Sequence, residues 1–440
     1  MLILLAAAAV VVVAGVPWWL PGRIVALRTR LFARINGDDG ITVPGELVAP
    51  DRFEEVYGHP AAIGRSKGAA LSDLFWYWLS PGAAIHQEHL EAGERYDAVA
   101  LTTRAFLSVR RAEIEELARR CAATTVIGTS GHVRLRDLMM PLWAEFSYEL
   151  VFGERCPPKA RELIVGAADD VATALKCCGL RHMDRRERLT AYLSANLHRV
   201  RLPLPEGLSD QERALYLQGT FFVTAVVQMS EAMAHLLLVL ARHPAAQRRA
   251  RAGEPGHLDR VMAETMRLYP LFGIAHRVTV ADIELGGGAR ITAGSVLCFD
   301  YPAFHHAGVA APGRFDPDRP RWPHHLPFGV AANRPCPAWR LAPIAMRAVT
   351  EELLAHHALH SAATHTRSMP NRGPCLITAP GAAPAFGALA LMRLRDRWED
   401  VWRSLVQLVL GTYMVWDARR QRLCARHFER EENAHARRQP

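Results

Sequence analysis

Residues 214–242 are apolar on nearly every side of a helix. A helix of that kind cannot lie on a wet surface, so it has to cross the interior of a large, mostly helical body. At 440 residues the chain is long enough to supply one. Helical periodicity recurs over residues 112–121, 138–152 and 160–175, with Asp137 and Asp210 as candidate N-terminal caps. Strand-like pieces come later, at 277–285, 295–299 and 374–377, with a turn at Gly286-Gly287-Gly288. Residues 311–335 are rich in Pro, Asp and Arg without periodicity and read as an irregular ordered loop. The fold class is mainly α with minor β.

Residues 1–20 carry no charge and run through Ala, Val, Leu and Ile. Twenty helical residues reach about 30 Å, the thickness of a bilayer's hydrocarbon core. Trp18 and Trp19 fall where an interfacial aromatic belt lies, and Arg23, Arg28, Arg30 and Arg34 follow. The positive-inside rule then puts everything downstream on the cytoplasmic side. We read residues 1–20 as a single-pass membrane anchor. A cleaved secretory signal competes, but a basic leader and an A-x-A site are missing.

Residues 21–50, basic and then Gly/Pro-bearing (Gly37, Gly40, Pro44, Pro50), read as a linker, residues 51–380 as the body, and 381–440 as a helical extension. In the extension Trp398, Val401, Trp402, Leu405, Val409 and Trp416 recur at three- and four-residue steps. Such a helix either docks on the body or lies on the membrane beside the anchor. The net charge of +9 is spread as scattered arginines. It suits an acidic redox partner or anionic lipid, and no nucleic-acid-binding signature accompanies it.

Cys336 lies in Pro327-Phe328-Gly329-Val330-Ala331-Ala332-Asn333-Arg334-Pro335-Cys336-Pro337-Ala338, a loop that opens a helix. A sulfur near the positive end of a helix, two residues after an arginine, is expected to lose its proton readily and suits metal ligation. Upstream, Glu264-Thr265-Met266-Arg267 sets a carboxylate and a guanidinium one turn apart, on a helix ending at Leu268-Tyr269-Pro270. Pro312-Gly313-Arg314-Phe315 supplies another arginine within the irregular loop.

Glu-x-x-Arg, Pro-x-Arg-Phe and Phe…Arg-x-Cys in this order resemble the cytochrome P-450 (heme-thiolate) family, over roughly residues 45 to 380. The resemblance implies that family's fold around heme b (iron protoporphyrin IX), with Cys336 as the proximal iron ligand. It makes Phe328 the aromatic before the ligand, and Arg334, Arg277 and Arg95 contacts to the heme propionates. Glu264, Arg267 and Arg314 match the buried cluster that braces the cysteine loop, and Asn371-Arg372-Gly373-Pro374 matches the late hairpin.

The loop departs from the family's pattern in three ways. Phe328 and Cys336 are eight steps apart where seven are usual, and Ala332 and Ala338 stand where glycines do. The larger departure is on the distal side. Counting back from His243-Pro244, the family's threonine falls on Gln228, its acid on Val227, and its small Ala/Gly pair on Thr224 and Ala225. Gln228, Thr224 and Val227 are thus the expected distal positions. Gln228 forms hydrogen bonds but relays protons poorly, and Val227 relays nothing. Glu231, one turn on, is the candidate substitute.

The leading function is a membrane-anchored heme-thiolate enzyme, monooxygenase-like, that oxidises or rearranges a small organic substrate. Electrons would come from an external ferredoxin or reductase, since no flavin or iron–sulfur motif is present. The Ala/Arg-rich composition fits specialised metabolism in a GC-rich bacterium. Reductant-independent chemistry on a pre-activated substrate (peroxygenase, dehydration or nitrene-type transfer) would tolerate the missing acid/alcohol pair. A catalytically silent heme accessory protein is the third reading. His356, His357 and His360 have a spacing that can hold zinc, but a packed or solvated helix accounts for them better. His86 and His89 lie near a propionate-contacting stretch, where Arg95 aligns better.

Overall fold

The computed structural model describes residues 2–36, 40–62, 70–286, 288–320 and 322–436. Met1, Gly37 and Gly287, which figure in the expectations above, lie outside them. The helices that frame the site are α1 (Leu2–Asn36), α2 (Ala70–Leu79), α3 (Glu94–Leu107), α4 (Leu135–Phe152), α5 (Pro158–Leu175), α6 (Ala225–Arg242), α7 (His257–Leu268), α8 (Leu341–His356), α9 (Ala388–Gln421) and α10 (Leu423–Ala436).

The apolar segment does cross the interior. It is continuous from Asp210 to Arg242, built of a helix Asp210–Leu217, a π-helical stretch Gln218–Thr224 and α6. In the π stretch the amide of Ala225 reaches back to the carbonyl of Thr220, a wider turn than the α-helix allows. Ser209, not Asp210, caps the segment. Its hydroxyl accepts from the Glu212 amide at 3.4 Å while the Glu212 carboxylate accepts from the Ser209 amide at 2.8 Å. This reciprocal box satisfies two orphan amides at once, which Asp210 inside the first turn cannot do. Asp137 likewise lies in the first turn of α4, where it pairs with Arg372 at 2.9 Å.

α6 packs against α4 and is flanked by α7 and α8. Val226, Met233, Leu236, Leu237 and Leu240 are fully buried, each stabilising the fold by about 1.5–3 kcal/mol through burial alone. One charged group interrupts this apolar surface. The Glu231 carboxylate lies 3.0 Å from the Arg136 guanidinium of α4 and 3.1 Å from the Lys176 ammonium just past α5.

The β part is small. Strand β1 (Ile41–Val43), strand β3 (Ile274–Val278) and strand β6 (Val296–Asp300) form one sheet in the order β1-β6-β3. In it β1 runs parallel to β6 (Ile41 opposite Leu297) and β3 antiparallel (His276 opposite Cys298). Strand β2 (Gly131–Arg134), strand β7 (Ala358–His360) and strand β8 (Pro374–Thr378) form a second, in the order β2-β8-β7. The expected single strand at 277–285 is split: β3 ends at Val278, and β4 (Ile283–Gly286) pairs with β5 (Ala289–Ile291) as a separate hairpin. Beside the first sheet Phe53 stacks on Phe304 at 4.1 Å and Tyr57 meets Phe299 edge-on at 4.6 Å. This second core fixes the strand that carries Arg277.

The termini pair with each other. α1 continues through Pro17 and Pro21 to Asn36, so the expected linker does not begin at residue 21. Arg28 Nη1 donates to Gln407 Oε1 at 2.8 Å, and one turn on, Phe32 packs where a Cβ on Gly411 would stand 2.8 Å from its ring. The two contacts advance together, so α1 and α9 run parallel. That packing outweighs the interior prolines, each of which costs a helix about 3 kcal/mol. α9 is itself docked on the body: Asp396 accepts from the Thr364 amide at 2.6 Å, and Gln407 donates to the Lys176 carbonyl at 2.8 Å.

Removing the Glu231 carboxylate strands two buried cations. Glu231→Ala is expected to lower stability by about 3–5 kcal/mol, read by urea unfolding at neutral pH. Burial pushes this carboxyl up, but Lys176 and Arg136 outweigh it and hold it below the usual range. Its contribution is therefore complete above the unfolded carboxylate pKa and disappears as pH falls through the lower folded value. The gap between wild type and variant should narrow on that acid side.

Candidate active site

The loop that carries Cys336 is closed by its own backbone. The Cys336 amide donates to the Phe328 carbonyl at 2.9 Å, and the amide of Ala342, in the first turn of α8, donates to the Ala338 carbonyl at 2.8 Å. The additional step between Phe328 and Cys336 is absorbed within this closure, and Arg334 takes a left-handed φ of 53° there. A non-glycine residue in that region costs about 1–2 kcal/mol, so it needs outside support. Asn333 supplies part of it, donating through Nδ2 to the Tyr57 carbonyl at 2.8 Å.

Arg334 supplies the rest. Its Nη1 donates to the carbonyls of Gln87, at 3.1 Å, and Leu90, and its guanidinium lies 4.3 Å over the Tyr96 ring. Arg277, fully buried on β3, donates to the Tyr57 hydroxyl and stands 3.6 Å from Glu88. Two cations from distant parts of the chain thus converge on residues 87–90. Arg95 does not join them: it pairs with Glu212 at 2.5 Å, and its neighbour Tyr96 is the residue under Arg334.

Opposite the loop, the core segment alternates between closed and open sides. Phe221, Phe222, Val223, Val226, Val227 and Ser230 are buried, whereas Thr220, Thr224, Ala225, Gln228 and Met229 retain partial exposure. The open positions are spaced three to five residues apart and share one face. Thr224 and Gln228 lie on this open side, and Val227 does not. Its side chain is buried in the hydrophobic core. Glu231 is no substitute relay either, held as it is between Arg136 and Lys176.

His86 joins the two walls: its Nε2 lies 3.2 Å from Thr224 Oγ1, while the next residues, 87–90, receive Arg334. His86, Thr224, Gly219 and Val223 line a small cavity. His357 and His360 meet separate partners, the Ile127 carbonyl at 2.9 Å and Thr378 Oγ1 at 3.1 Å.

The bracing cluster forms with one exchange. Glu264 and Arg267 make a two-pronged ion pair at 2.7 and 2.8 Å, and Glu264 also accepts from the Asp316 amide at 3.1 Å. The second arginine is Arg319, whose Nε is 3.6 Å from Glu264. Arg314 is exposed, and only its carbonyl takes part, accepting from Arg319. Both arginines follow a proline in Pro312-Gly313-Arg314-Phe315-Asp316-Pro317-Asp318-Arg319. Only the path of the loop decides which one turns inward.

The Cys336 side chain is exposed by area, yet burial raises its thiol pKa, a backbone amide opposes that, and Glu88 adds to it. Both statements hold for a sulfur facing an internal cleft. They correct the expectation of a lowered pKa, since the Arg334 charge is held on backbone carbonyls. One soft donor on a tight loop, two guanidiniums at one edge and an open helix face opposite form a set that fits heme.

No family model matches the chain. Among curated proteins it is 31% identical to cyclooctat-9-en-7-ol 5-monooxygenase of Streptomyces melanosporofaciens, over 26% of this chain and 28% of the relative. It is 32% identical to cytochrome P450 734A6 of Oryza sativa subsp. japonica, over 26% of each. The chain thus matches about a quarter of these relatives' length. Ligand-free cytochrome P450 OleT superposes with a TM-score of 0.60 at 17% identity, over 75% of this chain and 88% of that one. A zebra fish cytochrome P450 solved with abiraterone does so at 0.62 and 17%, over 76% and 92%. The fold is therefore that of the cytochrome P450 structures.

The exchange within the cluster is testable. Arg319→Ala removes the cation beside Glu264 and two hydrogen bonds from its guanidinium to the Ala310 and Arg314 carbonyls, and is expected to lower stability by about 1.5–3 kcal/mol, the range for a lost hydrogen bond to a charged group. Arg314→Ala should stay within about 0.5 kcal/mol of wild type. Thermal melts of the two variants side by side decide the matter, and equal losses would return Arg314 to the cluster.

Proposed function

We propose that this protein is a membrane-associated heme-thiolate oxidoreductase, monooxygenase-like, acting on a small organic substrate. The observation that carries the reading is the accessible Cys336 sulfur on a loop whose Arg334 converges with Arg277 on residues 87–90. When bound, heme supplies the redox chemistry of an iron held by a thiolate. Cys336 would hold the iron, and the hydrogen bond from its amide to the Phe328 carbonyl keeps the loop closed. Arg334 and Arg277 would receive the two carboxylates of the porphyrin, and Glu264, Arg267 and Arg319 keep the loop from relaxing.

Thr224, Ala225, Gln228 and Met229 form the wall on which a substrate rests. The Streptomyces relative is a monooxygenase of cyclooctat-9-en-7-ol, and a small, largely apolar molecule suits the wall described here. An external ferredoxin or reductase supplies electrons, and α1, free of charge from Leu2 to Gly22, brings the body to a membrane.

A specific observation supports a second reading. Val227 is in the core and Glu231 is ion-paired, so the open face of α6 presents no carboxylate among the described residues. The polar groups left there are the Gln228 amide and the Thr224–His86 pair. A substrate that brings its own leaving group needs no carboxylate-fed proton delivery, so reductant-independent turnover fits this wall.

Two measurements separate these readings. The reduced, carbon-monoxide-bound protein should show the strongly red-shifted Soret band of sulfur ligation, and Cys336→Ala should abolish it. Turnover should then depend on a reductase and nicotinamide cofactor. Product formed without them would select the second reading, and a protein that takes up no porphyrin would end both.

A further inference from the structure

α9 has a second apolar face, opposite the one that docks. From Leu391 to Trp416 apolar side chains recur outward every three or four residues, and Trp398, Trp402, Val409 and Trp416 are 42, 68, 65 and 52% exposed. The charged residues of the same turns, Arg397, Glu399, Asp400 and Arg403, fall on other sides of a helix with 3.6 residues per turn. The outward face therefore carries no charge between Arg395 and Arg419. At about 1.5 Å per residue the apolar strip is nearly 40 Å long, a contiguous patch of the kind that marks an interaction site.

α1 widens the strip. The register set by Arg28–Gln407 and Phe32–Gly411 carries Trp18 and Trp19 to the turn that holds Trp398. They are 65 and 50% exposed, and Val12 and Val13 beyond them 59 and 56%. Exposed arginines border the combined face: Arg393 and Arg395 at one end, Arg419 at the other, and Arg23 and Arg30 along α1.

Tryptophans beside arginines around an uncharged strip match the boundary between lipid headgroups and acyl chains. A lone spanning helix fits these contacts less well. α1 is partly or fully covered along one side from Gly15 to Phe32, and the same register sets residue 9 level with Ala388, the start of α9, which leaves residues 2–8, about 10 Å of helix, to reach beyond the pair. A bilayer core needs about 30 Å.

We infer that α1 and α9 together form a membrane-docking face that lies in the plane of an anionic bilayer, with α9 a lipid contact in its own right. This rests on the membrane association proposed above and names the surface responsible. The outward positions leave the docked side free to hold the body, so the catalytic cleft sits at a fixed height above the lipid.

The test uses the full-length protein with vesicles of equal parts phosphatidylcholine and phosphatidylglycerol carrying brominated acyl chains, which quench nearby tryptophans. The triple variant Trp398→Phe/Trp402→Phe/Trp416→Phe should lose about half of the quenchable emission, and Trp18→Phe/Trp19→Phe much of the remainder. These aromatic exchanges on exposed sites should leave the thermal midpoint unchanged. If the triple variant is quenched like wild type while the double variant is not, α1 alone meets lipid; the inference fails and membrane association stands. If wild type shows no quenching, both fail. A lipid-free dimer in sedimentation that Trp402→Glu dissolves, without vesicle quenching, would assign the face to a second copy instead.

Discussion

Glu264 is a carboxylate removed from water, and much of the site's geometry follows from the need to satisfy it. Arg267, three residues on along the same helix, meets it with both prongs of its guanidinium and then reaches the carbonyl of Pro312. Arg319 and the Asp316 amide complete the shell. The stretch from Pro312 to Arg319 forms no helix or strand, so these polar contacts hold its path. The irregular chain between them and Cys336 leads directly into the thiolate loop. A buried ion pair contributes little net stability over an apolar substitute, but breaking one is costly. Here it fixes a loop that has no ladder of its own.

A similar economy governs the other wall. The core segment is apolar enough to be buried on most sides, and the one carboxylate of α6 is matched by Arg136 and Lys176. The same contacts that stabilise Glu231 remove it from the chemistry. What remains on the open face is an amide, a hydroxyl and the imidazole that meets it. The π stretch ends at Thr224, where the wider turn gives way to α-helix beside His86. Through Lys176, whose carbonyl receives Gln407 while its ammonium meets Glu231, this wall is also joined to α9 and so to α1.

Much of this was legible in the residues. Helical periodicity located the interior segment and α4 and α5 to within a few positions, because burial imposes a regular spacing. The order of Glu264, Arg267 and Cys336 pointed to Cys336 as the candidate ligand before any contact was known. Other features had no linear signature. Arg314 and Arg319 are the same residue type in similar surroundings, and a turn in space chose between them. Arg95 and Tyr96 are adjacent, and the helix phase decided which lay under Arg334. His86 carried no motif, and its role as a bridge depends on a segment 138 residues away. The basic stretch from residue 21 read as a linker, and packing on α9 instead carries the helix on to Asn36.

The sequence by itself determined the class of the fold and singled out Cys336 as the candidate iron ligand, because periodicity and residue chemistry are local properties. Only the tertiary structure decided which arginine braces the loop, whether Cys336 is activated or desolvated, and where Val227 and Glu231 point. It also decided that the two ends of the chain lie side by side. Each of these depends on which distant side chain reaches a buried charge or apolar surface first, and spacing along the chain does not record that.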